Sequence, residues 1–300
     1  MKKFILKFTI FIILFVVVFQ VFIGATEEKL LKVNGPSMQM QIERSFKDVI
    51  KKEYNMIILG NSRMYRGVNP EMFGISAYNF SHDNDTYNQM YYKLLYLEKE
   101  NKLPKVVLLG TDYFQFSFIS DTRNFVYKSL LDKEYIKDYS FDFNKYMNIR
   151  MTTLQKNLIL RVESIFKNEN VNRPFMRENG QFIYHGKGSQ TKTFNRSSEM
   201  KDIQKDYYEK ILEFCRDKNI KVIVVMPPLR KIELEDYQVD YLNEFNNYIN
   251  KSIGEEGIYL NYTYDKRFNI DDFWDITHLD KKGADKFSKM LWDRLKINFP

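Results

Sequence analysis

The chain has 300 residues, 44% of them hydrophobic, which is enough for one well-packed domain and at most two. Its formal charge of +7 includes Lys2, Lys3 and Lys7 at the extreme N-terminus. The remaining 43 basic residues against 39 acidic ones exclude the strongly basic surface of a nucleic-acid-binding protein and fit a weakly basic domain near an anionic polymer or lipid surface.

The three lysines precede an almost wholly apolar run from Phe8 to Ile23, broken only by Thr9 and Gln20. Counted from Phe4 the segment has 20 residues, and a helix rising about 1.5 Å per residue would carry them across a hydrocarbon core roughly 30 Å thick. The positive-inside rule keeps its N-terminus cytoplasmic and makes the chain from Gly24 onward extracytoplasmic. A cleaved signal peptide is the competing reading. Because Phe22-Ile23-Gly24-Ala25 has no clean small-x-small site, residues 1–23 read as an uncleaved single-pass anchor in the cell membrane. Residues 24–36 are polar and end in Asn34-Gly35-Pro36, the turn chemistry expected of a juxtamembrane linker ahead of a folded domain at 37–300.

After Pro36, the spacing of Met38, Ile42, Phe46, Val49 and Ile50 predicts a helix, and Met56 to Leu59 a short buried strand that stops at Gly60. A second strand over Ser76 to Phe80 runs into the polar loop Ser81-His82-Asp83-Asn84-Asp85. Thr86 is then placed to cap a helix that displays Tyr87, Met90, Tyr91, Leu94 and Leu97. Val106 to Leu109 forms a third strand, again ended by glycine, at Gly110. A helical stretch follows over 141–166, then a polar excursion or lid over 167–200.

The rhythm returns with a helix bearing Ile203, Tyr207, Ile211, Phe214 and Cys215, and a fourth strand over Val222 to Val225 that stops at Pro227-Pro228. A helix from about Leu234 to Ser252, a strand at Ile258 to Leu260 and a helix carrying Ala284, Phe287, Leu291 and Leu295 complete the chain. The lone Cys215 can form no internal disulfide and reads as a small buried hydrophobe. Apolar strands alternating with helices predict an α/β fold whose mostly parallel sheet is covered on both faces.

Ligands of such sheets bind outside the carboxyl ends of the strands, which here carry Gly60-Asn61-Ser62, Ser81-His82-Asp83 and Gly110-Thr111-Asp112. Asp275 and His278, just before the last helix, can close over the same edge. A serine hydroxyl needs a base within hydrogen-bond reach and a third group that fixes the base's tautomer. Ser62, His278 and Asp275 are residues of the right kinds for nucleophile, base and orienting carboxylate. Taken alone, Gly-Asn-Ser is a common turn, and Asp-x-x-His is more often a helix cap with a surface histidine. Their order and strand-end context give the combination its weight.

His82, in a loop of Asp and Asn residues, reads as a solvated turn residue rather than a second base. His185 has no cysteine or carboxylate at metal-ligand spacing, so neither metal nor cofactor is expected. Arg63 follows the candidate nucleophile and can meet an anionic group, and Tyr65 and Arg66 can line the same mouth, with packing or an ion pair as the ordinary alternative. Trp274, beside Asp275, is the candidate wall, and Tyr113 and Phe114 are either wall or core.

Gly60-Asn61-Ser62 after the first strand, with Asp275-x-x-His278-Leu279 before a C-terminal helix, resembles the SGNH (GDSL-type) hydrolase superfamily. The resemblance implies a flavodoxin-like three-layer sandwich over residues 54–300. The anchored arrangement is similar to the exported partners of membrane-bound O-acyltransferases, such as the D-alanyl transfer protein of teichoic-acid systems and alginate acetylation proteins. In the superfamily a Ser, a Gly and an Asn from successive blocks hold the oxyanion. Here Ser62 fits its block, Ser81 stands where glycine is usual in Asn79-Phe80-Ser81, and Asp112 replaces the amide in Gly110-Thr111-Asp112-Tyr113. An ionised Asp112 would repel an oxyanion, so the donor is Thr111, Asn79 or Asn84, or else Asp112 is protonated or turned away. The resemblance implies a serine esterase or O-acyltransferase that moves acetyl or D-alanyl groups on a cell-envelope polysaccharide or teichoic-acid-like polymer, with an acylated carrier or a multispanning O-acyltransferase as partner. The alternative is a non-catalytic accessory that binds the polymer or docks onto such an acyltransferase.

Overall fold

A computed structural model describes residues 1–119, 124–131, 134–135, 143–188, 199–230, 239–255, 257–263 and 265–296. The chain divides into two compact units, Met1–Pro36 with Asp142–Pro174, and Ser37–Phe141 with Phe175–Pro300.

The second unit is built on a five-stranded sheet of β1 (Met56–Leu59), β2 (Ala77–Asn79), β3 (Val106–Gly110), β6 (Lys221–Met226) and β7 (Ile258–Asn261). Their spatial order is β2-β1-β3-β6-β7, and every neighbouring pair is parallel. Counting only these five strands, the order is 2-1-3-4-5, the doubly wound arrangement whose ligand site lies where the strand order reverses, between β1 and β3. The small antiparallel pair β4 (Phe175–Met176) and β5 (Phe182–Ile183) stands apart from the sheet.

The short apolar runs form strands because alternate side chains meet different helices. Ile57, Leu59, Val107, Leu109, Val224 and Met226 point to one face, where α2 (Met38–Val49), α4 (Tyr87–Lys99), α7 (Asp202–Asp217) and α8 (Val239–Ile253) complete a core that includes Phe46, Leu94, Ile211 and Phe245. Met56, Ile58, Val106, Leu108, Ile223 and Val225 point to the other, under α3 (Ser62–Gly67) and α9 (Lys281–Leu295), with Met64, Phe287, Leu291 and Leu295. The result is a three-layer α/β sandwich, as the alternation of elements predicts. Cys215 lies in the first core, where burial pushes its thiol up to about 12.

The local signals hold in detail at several helix ends. Thr86 caps α4 in a capping box with Gln89, whose side chain accepts from the Thr86 N–H at 2.8 Å. Asp280 caps α9 by accepting from the Gly283 N–H at 2.8 Å.

The first unit pairs α1 (Lys2–Asn34) with α6 (Phe143–Phe166). Among the described residues α1 is the one helix long and apolar enough to cross a membrane, and the side chains from Phe4 to Val18 along it are exposed. The polar segment after Ile23 was expected to leave the helix, yet α1 continues to Asn34 and ends only at Gly35, which has a φ of 77°. The reason is packing within the unit. Leu30 and Val33 are buried, and Arg161 of α6 donates to the Ile23 carbonyl at 2.9 Å and pairs with Glu27. The predicted helix over 141–166 is α6, its first two positions lying outside the described residues, as do 234–238 of the helix expected from Leu234 and 189–198 of the excursion.

His82 is not solvated. It is 1% exposed, with Nε2 at 2.6 Å from Ser45 Oγ and Nδ1 at 2.9 Å from the Tyr127 hydroxyl and 2.8 Å from Lys93 Nζ. Lys93, itself 0% exposed, pairs with Asp85 at 2.5 Å and donates to the Phe80 carbonyl at 2.5 Å. Asp and Asn neighbours suggest a solvated loop, but the lysine that meets the imidazole and pairs with Asp85 arrives from α4, eleven residues after His82.

Gly60 and Gly110 close β1 and β3 for a steric reason: a Cβ on either would strike the Met64 side chain, which α3 lowers over both strand ends. Gly110→Ala should therefore overpack the carboxyl edge and lower stability by about 1–3 kcal/mol, and Met64→Ala should recover part of that loss. A double-mutant cycle in urea reads both values.

Candidate active site

Ser62 is the first residue of α3 and stands directly outside the carboxyl end of β1. Asn61 caps that helix, its side-chain oxygen accepting from the Arg63 N–H at 3.0 Å. The other half of the site is the loop before α9. Phe273 and Leu279 form an antiparallel bridge, and the Trp274 N–H donates to the His278 carbonyl at 2.8 Å, so Trp274 to His278 close a narrow turn. Inside it the Asp275 carboxylate accepts from the N–H groups of Thr277 and His278, each at 2.8 Å.

The two halves meet. His278 Nε2 lies 2.8 Å from Ser62 Oγ, and Nδ1 lies 2.9 Å and 3.0 Å from the two Asp275 oxygens. Three residues, separated by up to 216 positions in sequence, thus form one hydrogen-bonded line, and each is half-buried rather than sealed from solvent. Burial pushes the Asp275 carboxyl up, but the His278 hydrogen bond and charge, with the two backbone N–H groups, outweigh it and hold the carboxyl well below its usual range. Burial and then the nearby Arg66 cation lower His278 below its ordinary value, against the opposing pull of Asp275. At neutral pH the ring is neutral, and a carboxylate bonded at Nδ1 leaves Nε2 as the acceptor facing the serine.

The remaining expected site residues lie nearby but are committed to other partners. Arg63 and Asp112 form an ion pair in which both side chains are 1% exposed, and Arg63 Nη2 also donates to the carbonyls of Pro227 and Pro228 at 2.5 Å and 2.8 Å. Asp112 is therefore turned toward a buried cation, which removes the repulsion its sequence position suggested. The Asn79 amide donates to the carbonyls of Met64 and Val68, both at 2.8 Å, and its oxygen accepts from the Ser81 N–H at 3.2 Å. Ser81 Oγ faces the Ile58 carbonyl, Thr111 Oγ1 lies 2.8 Å from the Tyr87 hydroxyl, and Asn84 is exposed at φ 61°. Tyr113 is core, 1% exposed. Ser62 Oγ instead meets the His278 ring.

Two features give form to what the sequence left general, the polar excursion over 167–200 and the surroundings of Arg66. The segment after β5 forms a strap: the Gly188 N–H donates to the Trp274 carbonyl at 2.7 Å, and Lys187 Nζ donates to the Phe273 carbonyl at 2.8 Å. The Tyr184 ring packs against Trp274 at a tilt of 35°, centroids 4.6 Å apart, while Gln181 donates to the Arg66 carbonyl at 2.9 Å. The second is the ion pair of Arg66 with Asp83 at 2.8 Å. An ion pair is the ordinary alternative that the sequence offers for Arg66, and its partner comes from another element. His185 stacks on Phe175, and among the described residues no cluster of three or more His, Cys, Asp or Glu side chains is placed to hold a metal ion.

One family model matches residues 179–300, less than half of the chain. No curated protein matches the sequence. Among solved structures, one provisionally assigned as a platelet activating factor from Streptococcus pneumonia aligns over 94% of this chain and 98% of its own, at 12% identity and a TM-score of 0.41. A family two carbohydrate esterase from Clostridium thermocellum, solved with cellohexaose, aligns over 82% of this chain and 65% of its own, at 8% identity and a TM-score of 0.40.

Because Arg63 is fully buried, Asp112→Ala should cost about 3–5 kcal/mol by leaving an uncompensated cation. Chemical denaturation checks this. An aspartate facing solvent beside Ser62 would instead be removed at little cost.

Proposed function

We propose that the protein is a serine esterase or O-acyltransferase. The observation that carries the reading is the continuous hydrogen-bonded line Ser62 Oγ, His278 Nε2, His278 Nδ1 and Asp275 at the mouth of the sheet. In this mechanism Ser62 Oγ attacks the carbonyl carbon of an ester while His278 Nε2 takes the hydroxyl proton. Asp275 stabilises the imidazolium that results. Collapse of the tetrahedral intermediate expels the alkoxide, which receives the proton from His278, and leaves an acyl-Ser62. Water or a polymer hydroxyl, giving its proton to the same histidine, then attacks the acyl-Ser62 carbonyl carbon, and collapse breaks the acyl–Oγ bond as His278 returns the proton to Ser62 Oγ.

The side chains of Asn79, Thr111 and Asp112 and the N–H groups of Arg63 and Ser81 are engaged with other partners, which leaves the N–H of Ser62, the first of α3, as the oxyanion donor on this reading. An apolar α1 supports a reading in which this chemistry is tethered to a membrane, with Ser62 on the extracytoplasmic side. On that reading the acyl group is acetyl or D-alanyl, and the acceptor an envelope polysaccharide or teichoic-acid-like polymer, served by an acylated carrier or a multispanning O-acyltransferase.

Hydrolysis of p-nitrophenyl acetate by the full chain in detergent tests the core of this proposal. Ser62→Ala and His278→Ala should each lower kcat/KM by about 10³-fold or more, and Asp275→Asn by a comparable factor through the wrong tautomer. Equal turnover by wild type and Ser62→Ala would refute the reading. The sign of the pH dependence follows from His278. Its depressed pKa keeps the base neutral at pH 7, so activity should persist as pH falls to about 6.5, the ordinary imidazole value, and drop only below it. A pH profile of kcat/KM measures that limb.

A further inference from the structure

Arg66 lies one helical turn beyond Ser62 and joins three separate elements. Its guanidinium, only 10% exposed, donates to Asp83 in the loop after β2 at 2.8 Å. It lies 4.4 Å from the ring centroid of Tyr184 on the strap and 5.6 Å from that of Trp274 in the loop before α9. Trp274 in turn stands 6.5 Å from the His278 ring and is bonded to the His278 carbonyl. A near-buried cation is thus held against the wall of the catalytic loop, directly paired with Asp83 and within the field of Asp275.

We infer that Arg66 and Asp83 act as a positioning pair for His278, in which Arg66, held by Asp83, seats Trp274 against the His278 loop and places a positive charge near the imidazole that Asp83 partly offsets. This role rests on His278 being the general base. Several charged or titratable groups face the imidazole. Asp275 on its own loop and Asp83 after β2 favour the imidazolium, and Arg66 on α3 opposes it. Ser62 on α3 meets Nε2. On the strap, Tyr184 faces Arg66, and Lys187 is directed to the Asp271 and Phe273 carbonyls and to Asp280 at 3.5 Å.

The pair makes two substitutions act in opposite directions. Arg66→Gln removes a cation and leaves Asp83 uncompensated, and both changes favour the imidazolium. Asp83→Asn removes an anion and leaves Arg66 uncompensated, and both changes disfavour it. A purely structural brace has no reason to give opposed signs.

The test is an NMR titration of the imidazole Cε1–H signals of the full chain in detergent micelles. The three signals arise from His82, His185 and His278, and His278→Gln assigns the relevant one. Arg66→Gln should raise the His278 midpoint and Asp83→Asn lower it, each by about half a pH unit or more, with Arg66→Lys close to wild type. Shifts of the same sign, or none, would overturn the proposal. Should Arg66→Gln fail to fold, Asp83→Asn alone decides by the direction of its shift. The pH dependence of inactivation by a fluorophosphonate, run on the same variants, separates the two claims. Opposed NMR shifts in an unreactive protein would uphold the pair and sink the esterase reading, whereas a reactive protein with unmoved midpoints would do the reverse.

Discussion

The buried Arg63 guanidinium is the constraint on which the carboxyl edge of the sheet depends. It immediately follows Ser62, pairs with Asp112 beyond β3 and donates to the carbonyls of Pro227 and Pro228 beyond β6. One cation therefore ties together the carboxyl ends of three neighbouring strands. Removing a cation from water is costly unless it is paired and its donors are used, so this arrangement resists partial rearrangement. The glycines at the ends of β1 and β3 serve the same edge by letting Met64 descend over both strands. With α3 held from below by Met64 and from within by Arg63, Ser62 has little freedom except at its own side chain.

The facing half is rigid for different reasons. The turn from Trp274 to His278 is closed by its own carboxylate, which accepts two backbone N–H groups as well as the imidazole. The strap lies along the outside of this turn and is bonded to its carbonyls, and the β4–β5 hairpin behind it is tied to α3 and β2 through Gln181 and the Asn79 N–H, which donates to Asn179 at 2.8 Å. Preorganisation of this kind matters because a base must meet its serine within about 3 Å before substrate arrives if little binding energy is to be spent on alignment.

Much of this was legible in the sequence, and the parts that were not share a cause. Met56 to Leu59, Val106 to Leu109 and Val222 to Val225 read as buried strands because apolar runs of that length, ended by glycine or proline, leave few alternatives. Ser62 and the Asp275/His278 pair could be singled out because strand ends of a parallel sheet converge. The partner of Arg63 could not, since Asp112 lies 49 positions away and looked like a defect in an oxyanion hole. The same holds for His82, whose burial depends on Lys93 from another element, and for the second half of α1, where Arg161 of α6 supplies the reason to stay helical. Local pattern names the elements. The pairing of buried charges across them becomes visible only when the elements are assembled.

The central claim is that Ser62 is a nucleophile made reactive by His278. Intact-mass measurement of the full chain after treatment with a fluorophosphonate, followed by peptide mapping, addresses it without any assumption about substrate. The account predicts a single adduct, carried by the peptide containing Ser62 and lost in His278→Ala. A protein that stays unmodified, or is modified at another serine with Ser62 untouched, would contradict it.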